Sequence, residues 1–358
     1  MTTPEIAHLR LSNQALLNAA TSTPQALVSK MGAIQAQDYP MAKWAIGTRL
    51  ADANEAKIDK AIHTGTIIRT HILRPTWHFV AARDIAWMLE LTAPHVKTIV
   101  SSGNKGVGLT ADILKKSNKI IAQALKGNIH LTRDKLKTLL ETAKIPCNDN
   151  RASHIFAWAE LEGVICSGRP EGSKQTYALL EERVKATKTL SRSDALAKLA
   201  ERYFTAHGPA SLKDFIWWSG LSVVDAKNAL EQNKKKLTEI ATKEDIYWTK
   251  NTEASVASTN DSSLLLPSFD EYLIGYKNRT AAIPLDLQSR AFTNNGIFRP
   301  IIVVNGQVKG IWSRVVVKDK VDIITNFFET PNKAITKAVS IAAEKYASYL
   351  GKELGMMK

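Results

Sequence analysis

Thr66-Ile-Ile-Arg-Thr-His-Ile-Leu73 and Thr76-Trp-His-Phe-Val80, separated only by Arg74-Pro75, decide how this chain is read. Both runs are rich in β-branched and aromatic residues, and the break between them predicts a hairpin. Helical patterns precede them. Residues 4–20 read as one helix, with Ile6, Leu9, Leu16 and Leu17 on an apolar face and Ser12-Asn13 as an interruption. Thr23-Pro24 places an N-cap before a proline at the first helical position, opening a helix toward Gln35. A third helix begins near Pro40, and Asn54 caps a fourth that Gly65 stops. Helices followed by a strand pair form the winged-helix pattern.

The pattern recurs twice. Helical stretches at 82–100, 110–126, 133–143 and 153–162 lead to a second hairpin, Val164–Ser167 and Gln175–Leu180. A third round runs through Leu196–Ala206, Leu212–Trp218 (capped by Ser211) and Val224–Leu230 to strands at Leu237–Ile240 and Asp245–Thr249. Beyond Thr252–Ser263, a polar stretch expected to be a linker or loop, the pattern turns to strands. They are Leu264–Leu266, Ile301–Val304, Val308–Trp312, Arg314–Lys318 and Asp322–Phe327. Asn305-Gly306 is a type I′ hairpin signal. A helix over 331–350, with Pro331 in its first turn, closes the chain. The expected fold is mainly α with small β-hairpins, an α+β chain of tandem winged-helix domains. These span 1–82, 83–190 and 191–250, followed by a β-rich domain or barrel at 251–358.

Candidate chemistry lies in Met31-Gly-Ala-Ile-Gln-Ala-Gln-Asp-Tyr-Pro40. Gln35 and Gln37 are two uncharged amides in an apolar setting, and each costs free energy to bury unless it finds partners. Pro40 disfavours α geometry at Tyr39. A helix ending near Gln35 would leave both amides able to converge. Two readings follow: the amides cap that helix end, or they grip a ligand.

Lys and Arg number 48 against 34 Asp and Glu, a net charge of +14 that attracts polyanions. Nucleic acid is the leading partner. Two cysteines, Cys147 and Cys166, are too few for a disulfide scaffold and lack zinc-site spacing. No metal constellation, phosphate-binding glycine loop or Ser-His-Asp pattern stands out, so no cofactor, nucleotide or metal is expected. With no signal region and no apolar run of about 20 residues, a cytoplasmic protein without membrane contact is expected, working as a monomer.

Five segments carry a family resemblance. They are Gly32-Ala-Ile-Gln-Ala-Gln-Asp38, Arg69-Thr-His-Ile-Leu-Arg-Pro-Thr-Trp-His-Phe-Val80, His207-Gly-Pro-Ala-Ser-Leu-Lys-Asp-Phe-Ile-Trp-Trp-Ser-Gly220, Leu265-Leu-Pro-Ser-Phe-Asp-Glu-Tyr-Leu-Ile-Gly-Tyr-Lys-Asn-Arg279 and Asn305-Gly-Gln-Val-Lys-Gly-Ile-Trp312. In these the chain resembles the AlkZ-like winged-helix DNA glycosylases. The resemblance implies three winged-helix domains in a C-shape around double-stranded DNA, and removal of alkylated purines, with crosslink unhooking in some members. The family's Gln-apolar-Gln signature falls at Gln35-Ala36-Gln37. Arg74-Pro75-Thr76-Trp77-His78 departs from the Arg-Gly-Thr-Leu-His form of the best-known members, which bears on substrate.

Glutamine cannot deprotonate water at neutral pH, but it can orient a water and bond to the sugar-phosphate. That suffices only where the leaving group is already a cation, as in an N7- or N3-alkylated purine. Asp38 is either a carboxylate that stabilises the sugar cation or the N-cap before Pro40. Arg69, Arg74, His78 and Trp77 are candidate DNA contacts on the first hairpin. Lys234-Lys-Lys236 reads as a solvated turn. Asp270, Glu271 and Arg279 read as structural, with an ion pair inside the β domain. The competing function is a non-enzymatic DNA-binding protein, a regulator or architectural factor built from the same units.

Overall fold

The computed structural model describes residues 1–19, 22–148, 150–187, 189–242, 245–252 and 263–358. The predicted linker Thr252–Ser263 lies outside the described residues except at its two ends.

The first unit contains α1 (Thr3–Asn13), α2 (Pro24–Met31), β1 (Ile34–Gln35), α3 (Tyr39–Gly47), α4 (Glu55–His63), β2 (Ile67–Ile72) and β3 (Arg74–Ala81). The second contains α5 (Ala82–Gly106), α6 (Ala111–Leu125), β4 (Leu131–Thr132), α7 (Arg133–Thr142), α8 (Arg151–Leu161), β5 (Ile165–Ser167), β6 (Thr176–Leu179) and α9 (Leu180–Arg183). The third contains α10 (Arg192–Ala206), β7 (Ala210–Ser211), α11 (Leu212–Ser219), α12 (Val223–Glu231), β8 (Thr238–Ala241) and β9 (Ile246–Thr249). Each unit has a three-stranded antiparallel sheet in the same order, β1-β3-β2, β4-β6-β5 and β7-β9-β8. The overall architecture mixes helix and strand.

The two-residue strands β1, β4 and β7 escape sequence reading because they are too short to show a period. Local chemistry fixes most helix ends. Thr23, Asp38, Asn54, Ser211 and Ser222 each cap with the side chain. Two ends differ from expectation. α1 stops at Asn13 rather than near residue 20, because Asn13 and Gln14 turn inward to bond Gly208 O at 2.7 Å and the Tyr276 hydroxyl at 2.9 Å. α2 stops at Met31, where Gly32 takes a φ of 82°, so Gln35 lies in strand rather than at a helix end.

The C-terminal region adds β10 (Ser263–Leu266), α13 (Glu271–Ile274), α14 (Gln288–Ala291), β11 (Ile301–Val304), β12 (Gln307–Val317), β13 (Lys320–Phe327), α15 (Lys333–Tyr349) and β14 (Glu353–Met357). Among the described residues its five strands run in the order β10-β11-β12-β13-β14, an open sheet rather than a barrel. Val308–Trp312 and Arg314–Lys318, expected as two strands, belong to the single β12, apart from Lys318 in the following turn. Asn305 and Gly306 both have positive φ, as a type I′ turn needs. Pro331 precedes the Asn332 cap of α15 instead of entering its first turn. The β14 strand lacked a sequence signal. α15 packs on this sheet and on α3 through Trp44, Tyr346 and Tyr349, so the first unit and the C-terminal sheet share a core.

Candidate active site

Strand alternation divides the first sheet into two faces. Ile34, Ile67 and Phe79 join the core built on α2–α4, whereas Ile68, Ile72 and Val80 join the core built on α5, α10 and α11. The β2–β3 hairpin is therefore covered on both sides. Gln35 is registered opposite His78, on the face toward the third unit.

Gln35 is 4% exposed. Its backbone N–H donates to Glu271 Oε1 at 2.9 Å, and its side-chain Oε1 accepts from Arg74 Nη2 at 2.7 Å. Guanidinium nitrogens can only donate, so the amide oxygen must face Arg74 and the orientation of the carboxamide is fixed. Its Nε2 bonds to no described residue, yet it is not among the fully enclosed polar atoms without a partner. Among the described residues the N–H₂ is therefore the one group of the amide left unpaired, and it is not fully enclosed. Arg74 also reaches the Trp217 carbonyl at 3.4 Å, and no described carboxylate lies within salt-bridge distance of it.

Glu271 is fully buried. Besides the Gln35 amide it accepts from Trp218 Nε1 at 3.0 Å and His207 Nε2 at 3.3 Å. Burial works to raise its pKa, but His207, by hydrogen bond and by charge, then Arg74 and the Gln35 N–H, hold it below the usual carboxylate value. An ionised carboxylate thus sits where the first unit, the third unit and the C-terminal region meet. This corrects the expected ion pair within the β domain. Glu271 pairs with His207 of the third unit, and Asp270 pairs with Arg49 of the first at 2.8 Å. Arg279 instead stacks over Trp217, Phe292 and Phe298, and burial brings its pKa down to about 10.

His78 is enclosed. Its Nδ1 lies 3.0 Å from Thr76 O, and its Nε2 is buried without a partner. Burial first, then the Arg74 charge, pushes its pKa down to about 3, so the ring is neutral at physiological pH. Arg69 and Trp77 lie on the opposite face. The Arg69 guanidinium stacks 4.3 Å from the Trp77 ring and donates through Nε to Ala36 O at 2.9 Å. Trp77 packs 4.6 Å from His71, whose Nδ1 bonds to the buried Glu160 carboxylate of α8. The hairpin residues singled out in the sequence are thus split, with His78 on the Gln35 side and Arg69 and Trp77 on the other. Arg74, at the hairpin turn, bonds Gln35.

Gln37 is exposed, and its amide bonds to no described side chain. Asp38 is half-buried, caps α3 by accepting from Met41 N at 3.3 Å, and accepts from the Ser268 hydroxyl at 2.8 Å. Lys234–Lys236 form a 3₁₀ turn, with Lys234 and Lys236 paired to Glu231 and Glu201. Cys147 and Cys166 are buried free thiols. Among the described residues no trio of His, Cys, Asp or Glu is placed to hold a metal, and no helix is long and apolar enough to cross a membrane.

Sequence reasoning did not find His207, Trp218 or Glu271 as neighbours of Gln35. All three lie in segments that carried the family resemblance, but spacing along a chain does not say that two segments 236 residues apart converge on one amide.

The family described as DNA glycosylase AlkZ-like matches residues 28–349. The interstrand DNA cross-link repair glycosylase of Streptomyces sahachiroi is 23% identical over 367 residues, covering 98% of this chain and 95% of that protein. The solved structure of Streptomyces sahachiroi DNA glycosylase AlkZ aligns with a TM-score of 0.83 at 20% identity, covering 100% of this chain and 99% of that one.

Proposed function

This chain belongs to the AlkZ-like DNA glycosylase family, and on that premise we propose that it is a monofunctional DNA repair glycosylase. Its substrates are N7- and N3-alkylated purines in duplex DNA. The cross-link repair activity in the name of the Streptomyces relative supports adding interstrand crosslinks to them. The three repeated units are winged helices set in a C around the duplex, with boundaries near 82, 190 and 250. The +14 charge favours phosphate contacts and salt-sensitive binding. The enzyme works as a cytoplasmic monomer without cofactor.

The observation that carries this reading is the polar network around Gln35 inside the family's Gln-Ala-Gln signature. A buried amide with a fixed orientation is a preorganised group, and such groups act on charge that develops in a transition state. Gln35, Gln37 and Asp38 are the proposed catalytic residues. Of the first-hairpin candidates, Arg69 and Trp77 are left to meet DNA, whereas the enclosed His78 and the Gln35-bound Arg74 support the site from within. In the reaction a water oxygen bonds to C1′ and the C1′–N9 bond breaks. Its electron pair neutralises the purine cation, and one proton passes to solvent. No acid is needed because the leaving group is already charged.

The test is single-turnover release of free base from a duplex carrying one N7-methylguanine. Release by the wild-type protein, with none from an undamaged duplex, is expected. Tight sequence-specific binding without release would favour the regulator instead.

A further inference from the structure

We propose that Gln35 acts as a donor-only amide, set by Arg74 and Glu271, and that it binds a phosphate oxygen flanking the lesion rather than the attacking water. This inference rests on the glycosylase reading above. A free glutamine amide can accept through its oxygen or donate through its nitrogen, and nothing in the sequence chooses. Here the oxygen is occupied by Arg74 at 2.7 Å, so turning the amide would set N–H₂ against guanidinium N–H. Glu271 holds the backbone at the same residue through the 2.9 Å bond from Gln35 N. The only group Gln35 can offer outward is the N–H₂.

A donor is the wrong group to orient a nucleophilic water through its hydrogens. It is also the wrong group to place on the ring oxygen of a sugar that is becoming a cation, because it withdraws electron density there. A phosphate oxygen is an acceptor whose contact with a neutral donor fixes the nucleotide without opposing the developing charge. The water then falls to Gln37, whose exposed amide has a free oxygen. Arg74 and Glu271 become positioning residues. In this assignment the Arg74 cation serves Gln35 and the Trp217 carbonyl rather than a phosphate of its own.

The experiment compares Gln35→Glu, Arg74→Met and Arg74→Lys with the wild type by single-turnover base release at saturating protein, duplex affinity and melting temperature. Glutamate keeps the shape and pairs with Arg74, but it can only accept. Release by Gln35→Glu is expected to fall about 100-fold or more. A water-orienting carbonyl would instead tolerate this change. Arg74→Met frees the amide to turn and is expected to slow release at least roughly 10-fold with affinity within about 3-fold, a fraction of the effect of losing the group outright. Arg74→Lys, which can still donate to Oε1, is expected to restore most of the rate. If Gln35→Glu does not fold, the two Arg74 variants decide. Wild-type release rates in folded Gln35→Glu overturn the inference. So does Arg74→Met that loses affinity but keeps its rate at saturation. No release by the wild-type protein overturns the glycosylase reading and this inference with it, so the two failures are distinct.

Discussion

The first and third units share one topology but differ in how the short strand meets the next helix. In the third unit β7 ends at Ser211, which is registered opposite Tyr247 and caps α11 directly by accepting from Asp214 N at 3.2 Å. The second unit does the same with Thr132, opposite Thr176, at the start of α7. In the first unit the matching residue is Gln35, opposite His78, but α3 begins only at Tyr39. Residues 36–38 stand between strand and helix, and Asp38 has taken over the capping. The residue that merely caps in the second and third units is thereby released in the first to point elsewhere. The hairpins differ too. Nearly every residue of β2 is buried between two cores, whereas β8 lies largely exposed. Repetition of a fold therefore leaves open where chemistry sits. A small insertion and an outside carboxylate mark one unit out.

The largest test of this contrast substitutes the matched residues. Gln35→Ala is expected to lower single-turnover excision by roughly 10²–10³-fold with little loss of duplex affinity. Ser211→Ala should lower stability by about 1 kcal/mol and leave excision per folded molecule unchanged. Base-release kinetics and melting temperatures on both variants check the pair. Equal effects on excision would erase the distinction between the units.

Gly220 tests whether the first hairpin is held from outside. Its φ is 68°, and a Cβ there would fall 2.3 Å from Leu73 O and 3.4 Å from Arg74 Cγ. Gly220→Ala is expected to cost about 1–3 kcal/mol from backbone strain alone. By displacing the Arg74 turn it should slow excision beyond the loss of folded protein. Denaturation curves with active-site titration separate the two effects.

The enclosed His78 gives a pH signature that an exposed wing histidine would lack. Its pKa falls from 6.5 to about 3 on folding, so below pH 6.5 the unfolded chain takes up the proton first. Stability is full above about pH 6.5 and is lost as pH falls toward 3, with about 1 kcal/mol lost by pH 5.5. His130, pushed down to about 4 mainly by burial, shifts in the same sense. Urea unfolding at pH 7 and 5.5 should show the loss, and His78→Gln should reduce it.

The smallest effect concerns Asp38. Asp38→Ala is expected to cost about 1 kcal/mol as a lost cap, and Asp38→Asn, which can still cap, a few tenths. Full excision by Asp38→Asn would leave the carboxylate with its capping role alone, whereas loss of excision at unchanged melting temperature would assign its charge to the chemistry.

Much of the fold was legible because it is set over short distances. The Thr23-Pro24 start, the Ser211 cap, the Asn305-Gly306 turn and the switch of period at Thr66 each depend on neighbours within a few residues, and the structure keeps them. The Gln-Ala-Gln segment was also found, since paired amides in apolar surroundings are conspicuous. The two-residue strands and β14 were not, because they exist only through their partners.

By itself the sequence determined three helix-and-hairpin units, a β-rich end, a basic surface and one suspect pair of amides. Tertiary structure alone decided that the first hairpin is covered on both faces and that the Gln35 oxygen is taken. The reason is physical. Caps and periodicity act through local backbone geometry, but the direction of a glutamine amide is set by whichever charged group arrives. Here that group is Arg74, 39 residues along the chain, while Glu271, 236 residues along it, holds the backbone N–H, and only folding brings them together.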